Sequence, residues 1–203
     1  MRRNRIIGLS GLVLVACVVM HGCASAGGAG AGSGQELSET GLKIERAHAL
    51  ARDAQAAERE GDLAAAIDLY KRAVVEYRDF GAAWNNLGAL LLEDQKTMAA
   101  SEAFKRAMDL LPRDPRPPTS LGVIWDRAGY PDEASRYYEL ALQRDPEHLP
   151  ALRASAVLDQ ERGKGNDVTA QNIKRALLLE TDTKWKEWFQ REALKLRAKG
   201  FEG

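Results

Sequence analysis

Between Gly81 and His148 one 34-residue pattern is written twice in succession, and few architectures accept that constraint. With Gly81 set above Pro115, Asn86-Leu87-Gly88 stands over Ser120-Leu121-Gly122, Ala100 over Ala134 and Phe104 over Tyr138. Ala107 then falls over Ala141, and Leu111-Pro112 over Asp145-Pro146. Self-similarity at a fixed pitch of this length indicates one supersecondary unit that buries its apolar side by stacking on copies of itself.

The spacing inside the unit is helical. Trp84, Leu87 and Leu91 recur three and four apart, and so do Ala100, Ala103, Phe104, Ala107 and Leu111 after a short polar turn. Two amphipathic helices are therefore predicted per unit. Gly88 and Ala100 fall where side chains would hold the two helices apart, and Phe104 fills the wedge beside them. Pro112, Asp114 and Pro115 end one unit before the next begins.

The flanks read as weaker copies. Leu42, Ala47, Leu50, Ala54 and Ala57 mark a helical face closed by Gly61-Asp62, and Ala66, Tyr70 and Ala73 repeat the later positions. The helix starts ahead of its repeat boundary, an extension suited to covering an open end of the stack. In the third unit Pro115, Pro117 and Pro118 delay the helix to about Pro118, so its first helix is expected to be about a turn short. A fourth unit starts at Leu149. Its Gly163-Lys164-Gly165-Asn166 turn is loosened, and Ile173 and Ala176 match only if one residue is inserted. Thr183 to Lys199 carries Trp185, Trp188, Phe189, Ala193 and Leu196 on one side and charge on the other, as a terminal cap should.

A 34-residue pitch with Trp84, Leu87-Gly88, a mid-unit alanine, an aromatic four residues on and a late proline resembles the tetratricopeptide repeat. The resemblance implies an all-α superhelix, a right-handed solenoid of helix pairs with a C-terminal capping helix. The repeats are placed at about 47–80, 81–114, 115–148 and 149–182 within a domain of 41–182, with the cap and tail at 183–203.

The N-terminal 22 residues have a basic start, an apolar run from Ile6 to Met20 and then Gly22-Cys23. This is a secretory signal pattern, too short for a trusted membrane span. It resembles a bacterial lipoprotein signal, which implies a lipid on Cys23, with Cys17 as the alternative. Cys17 follows the better lipobox residue types; cleavage at Cys23 leaves no exposed Val18, Val19 and Met20, and delivers a Gly/Ala/Ser tether over 23–40. Ala24 after Cys23 favours the outer membrane under the enterobacterial sorting rule. The expected location is the bacterial cell envelope, lipid-anchored and facing the periplasm. Both cysteines lie in this region, so the folded part needs no disulfide.

Loss of Arg2, Arg3 and Arg5 with the signal leaves 26 basic residues against 29 acidic ones, a balance that does not suit nucleic acid. His48 and His148 are about a hundred residues apart, and neither has metal-ligand or triad spacing. Glu58 with Glu60, and Asp132 with Glu133, read as solvated helix ends. No catalytic residue, metal or cofactor is expected.

Function is then assigned to surface. In the family the first helix of each pair lines a concave groove, and the corresponding positions here supply Arg52 and Gln55, then Asn85, Asn86 and Leu92. The third and fourth units add Arg116, Asp126, Arg127 and Arg153. Asparagines there can hydrogen-bond a peptide backbone, and arginines can meet its carboxylates. Some family members clamp a peptide's terminal carboxylate in this way. Asn86 matches that clamp and Arg116 stands where lysine is usual, whereas Ala51, Gln55 and Ser120 depart from it. The resemblance implies a non-enzymatic, membrane-anchored scaffold that binds a protein or peptide, as in assembling a pilus or secretion machine. The alternatives are an adaptor for cell-wall enzymes, or an enzyme with an unrecognised site.

Overall fold

The structure is a computed structural model that describes residues 38–201. The signal segment, Cys17, Cys23 and the tether up to residue 37 lie outside the described residues. Nine helices, and no strand, occur among the described residues. In chain order they are α1 (Glu39–Glu60), α2 (Leu63–Glu76), α3 (Gly81–Glu93), α4 (Thr97–Leu110), α5 (Arg116–Arg127), α6 (Pro131–Arg144), α7 (Leu149–Glu161), α8 (Asp167–Leu179) and α9 (Thr183–Ala198).

Successive helices pair, and each pair rests on the next. α1 packs on α2, α3 on α4, α5 on α6 and α7 on α8, while each second helix also meets the following first helix. The fit inside a pair comes from the predicted small residues. A Cβ on Gly88 would lie 2.8 Å from the Phe104 ring, and one on Gly122 would run into Tyr138. Ala100 and Ala134 are fully buried opposite them. The chain thus presses a backbone against an aromatic face, a contact that only glycine permits at this separation.

Each pair turns at a residue in the left-handed region, and these residues are 34 apart: Gly61 (φ 78°), Gln95 (φ 60°), Gly129 (φ 80°) and Gly163 (φ 63°). Three of the four use glycine, which bears this conformation without steric cost. The fourth is Gln95. After Gly163 the loop to α8 is longer than its counterparts, so Ile173 and Ala176 reach the buried aromatic and alanine sites one residue late, as the inserted-residue reading requires.

Three sequence expectations need correction. α1 begins at Glu39, two residues inside the assigned tether, because the Ser38 side chain accepts a hydrogen bond from the Gly41 N–H and caps it. Leu42, placed on the apolar face, is 46% exposed. α5 begins at Arg116 rather than near Pro118 and keeps almost the full length of its counterpart α3. The N–H groups of a first helical turn have no partner within the helix, so Pro117 and Pro118 sacrifice no hydrogen bond there. The Thr119 hydroxyl also donates to the Pro115 carbonyl at 2.7 Å, closing that turn.

α9 lies on the last pair. Phe189 and Leu196 are buried with Leu152, Ala156 and Ile173, and Trp185 and Trp188 flank Phe189 with ring centroids 5.7 and 5.2 Å away. Asp182 caps this helix by accepting from the N–H groups of Lys184 and Trp185.

Candidate functional site in the row of first helices

Successive first helices touch directly, α3 with α5 and α5 with α7. They form the close-set inner row of the stack, and residues on its open side face whatever occupies the curve. A cleft of about 540 Å³ opens there between α1 and α3, lined by Gln55, Glu58, Arg59, Asn86, Ala89 and Leu90. Beneath it lies Tyr70 on α2, which is not itself exposed in the cleft. The Tyr70 ring is buried, and its hydroxyl accepts a hydrogen bond from Asn86 Nδ2 at 2.9 Å. Burial raises the Tyr70 pKa, with Glu58 adding to the rise and Asn86 opposing it, so the hydroxyl stays protonated.

The third unit also carries a tyrosine at this place. Tyr138 on α6 is buried, and its pKa is pushed up first by that burial and then by Asp126 and Glu161, with Arg127 opposing. Phe104 holds the equivalent place between these two tyrosines and brings no hydroxyl. Read from sequence, Tyr70 is only an apolar wedge; the structure shows its hydroxyl positioning Asn86.

The structure separates the predicted groove residues into three groups. Gln55 and Asn86 share the cleft, and Arg127 is exposed at the end of α5, with Asp126 half-buried beside it. Arg52 is exposed on another part of α1, in a depression shared with Leu42, Arg46 and His48, and so does not join the Gln55 cleft. The remaining four are engaged within the protein itself.

Asn85 is 7% exposed, and the residues one repeat either side, Ala51 and Thr119, are each 7% exposed as well. That position faces the wall of the stack, so Asn85 is not offered to a ligand. Its Nδ2 reaches Asn86 Oδ1 at 3.4 Å, and its Oδ1 has no hydrogen-bond partner. Leu92 is half-buried against the main apolar cluster. Arg116 folds back on Asp114, with Nε 3.0 Å and Nη2 2.5 Å from the carboxylate. Although burial raises the Asp114 pKa, hydrogen bonds from Arg116 hold it below the ordinary carboxylate value.

Arg153 makes the strongest internal commitment. It donates to both oxygens of Glu180 at 2.8 and 2.6 Å, and its guanidinium stacks 5.0 Å from the centroid of the Trp185 ring. Glu180 also accepts from the backbone N–H groups of Thr181 and Asp182, and these bonds, led by that to Arg153, hold its carboxyl down to about 2. Arg153 thus ties α7 to the turn before α9.

No cluster of potential metal ligands occurs among the described residues. Asp159 is half-buried; burial raises its pKa, while the Thr169 hydroxyl, donating at 2.6 Å, opposes the rise. That bond joins α7 to α8 and is spent on packing.

Comparison with known proteins places this geometry. No protein-family model matches the sequence. The Arabidopsis OM64 TPR domain superposes with a TM-score of 0.56 at 18% identity, covering 59% of this chain and 98% of that domain. The chain has the tetratricopeptide-repeat fold. A crystal structure of MamA protein matches with a TM-score of 0.58 at 23% identity, over 68% of this chain and 75% of that one. The first TPR of Spaghetti (RPAP3), solved bound to the HSP90 peptide SRMEEVD, matches with a TM-score of 0.56 at 17% identity over 60% and 98% of the two chains. In sequence, the chain is 32% identical over 106 residues to the human protein O-mannosyl-transferase TMTC3, which is 52% of this chain and 12% of that protein's length. The tetratricopeptide stack here thus runs from α1 to α8, with α9 laid on its end.

Proposed function

We propose that this chain is a non-enzymatic scaffold that binds a partner polypeptide along its row of first helices, and that an N-terminal lipid holds it at a bacterial envelope membrane. The observation that carries the binding part is the α1–α3 cleft, lined by Gln55, Glu58, Arg59 and Asn86, with Asn86 held from below by the buried Tyr70 hydroxyl. The amide and carboxylate groups of this lining suit the alternating N–H and C=O groups of a peptide backbone. Arg59 adds a cation for an acidic side chain or a terminal carboxylate. A peptide complex of a protein with this fold, the RPAP3 domain with SRMEEVD, lends the reading support. Assembly of a pilus or secretion machine and recruitment of cell-wall enzymes are the two roles such a tethered scaffold would serve.

Binding is tested by capture from detergent-solubilised envelope with the wild-type chain and a Gln55→Ala/Asn86→Ala pair. Recovery of a defined partner by the wild type, and its loss with the pair, is the expected result. Equal recovery by both removes the cleft assignment. The anchor is tested separately by metabolic labelling with a radioactive fatty acid. Label should survive Cys17→Ala and vanish with Cys23→Ala; the reverse pattern moves the lipid to Cys17, and no label on the wild-type chain excludes this anchor.

A further inference from the structure

The last turn of each first helix in the stack carries a charge at one repeating place. Arg59 of α1, Glu93 of α3, Arg127 of α5 and Glu161 of α7 are spaced 34 residues apart. Each stands two residues before the left-handed residue of its turn. The sign alternates along the row, all four side chains are exposed, and none forms an ion pair among the described residues. Arg59 lines the α1–α3 cleft. Further along, Arg127 and Glu161 both act on the Tyr138 hydroxyl, whose ring packs on Gly122 of α5 and beside Leu158 of α7. The place therefore borders the inner row at both ends.

Helix physics accounts for half of this row. The C-terminal end of a helix favours a cation, so Arg59 and Arg127 steady α1 and α5 where they stand. Glu93 and Glu161 oppose the same field, and no cation is bonded to either. Local stability does not call for these two carboxylates. Glu58 and Asp126, which precede the two arginines, are close enough to the buried Tyr70 and Tyr138 hydroxyls to act on them. They balance part of the arginine charge, so the row offers a pattern of signs and not a net cation.

We infer that Arg59, Glu93, Arg127 and Glu161 form a charge ladder that reads an extended partner segment carrying acid, base, acid and base at every third residue. This rests on the inner-row binding proposed above and names the sequence that the row selects. Packed helices lie about 8–10 Å apart, and an extended chain advances about 3.3 Å per residue, so each rung meets roughly every third residue of such a segment. A helical partner would need its charges about six residues apart, and it would hide the backbone groups that Gln55 and Asn86 suit. Exposed ion pairs add little affinity each and are screened by salt. The ladder therefore sets register and rejects segments with charges in the wrong order.

The test titrates the full chain with three labelled peptides by anisotropy at low salt. All place a charge at every third residue, with serine and valine between. One alternates glutamate and lysine, one regroups the same charges as two glutamates and then two lysines, and one carries four lysines. The alternating peptide should bind about tenfold tighter than the regrouped one, an advantage that shrinks as salt is added. Arg127→Glu should weaken the alternating peptide severalfold, and lysine in place of its second glutamate should restore binding to that variant. Gln55→Ala/Asn86→Ala should weaken every peptide and keep their order. Thermal melts by circular dichroism verify that the exposed Arg127 change leaves the fold intact. Equal binding of the alternating and regrouped peptides, both weakened by the Gln55 and Asn86 changes, overturns the ladder and leaves inner-row binding in place. Tightest binding of the four-lysine peptide also overturns it, since the row would then read net charge. No binding of any peptide to the wild-type chain removes both readings.

Discussion

The two middle pairs, α3 with α4 and α5 with α6, and the terminal group α7 to α9 solve the same packing problem by different chemistry. In the middle, glycine meets an aromatic ring and the helices close on apolar contact. At the end, Ala156 and Ile173 replace that couple, the turn is longer, and an ion pair between Arg153 and Glu180 braces the joint. A repeat with neighbours on both sides draws its stability from shape. The α7–α8 pair, packed against the single helix α9, adds a buried carboxylate that Arg153 satisfies.

The largest expected effect probes the middle. Phe104→Ala empties a fully enclosed site and should cost about 3–5 kcal/mol in urea denaturation, against about 2–4 kcal/mol for Ile173→Ala at the corresponding place near the end. A smaller loss for Phe104 than for Ile173 would reverse the comparison. Gly122→Ala comes next. Alanine ordinarily favours a helix, but here its methyl group collides with Tyr138, so a net loss of about 1–2 kcal/mol is expected. Ala156→Gly, the matching exchange in α7, should cost about 1–2 kcal/mol, from helix propensity and the loss of a buried methyl group.

Gln95→Gly runs in the opposite direction. Gln95 sits at φ 60° where the other three turns have glycine, so the change should raise stability by about 0.5–1 kcal/mol. A loss would mean that the Gln95 side chain contributes something its backbone geometry does not reveal.

The smallest effect is local and depends on pH. The Glu180 carboxyl titrates near 2 in the fold and near its ordinary value of 4.5 when unfolded. Its stabilising contribution is therefore complete above about 4.5, declines below that, and is gone once the pH has fallen through about 2. The Trp185 indole, which lies against Arg153, should report this as a shift in its NMR signal over that window, and Arg153→Met should abolish the acid transition.

Most of the fold is legible in the sequence because its determinants are local and periodic. Gly88, Ala100 and Phe104 declare a close helix pair without reference to anything distant, and the late arrival of Ile173 follows from counting. The groove is less legible. Helical spacing alone puts Asn85 and Asn86 side by side, yet one faces the stack and the other the opening, a division set by the neighbouring helices. Arg153 reads as a free cation until Glu180, 27 residues on, is folded against it. Prolines mislead for another reason: Pro117 and Pro118 look like a barrier to α5, whereas the first turn has no hydrogen bond for them to break.

The most direct test of the account is hydrogen exchange of the full chain with and without the partner captured from the envelope, resolved by segment. Protection is predicted along the facing surfaces of α1 and α3, around Gln55 to Arg59 and Asn86 to Leu90, while α2, α4 and α6 exchange as before. Protection confined to those outer second helices, with α1 and α3 unchanged, would contradict a scaffold that holds its partner on the inner row.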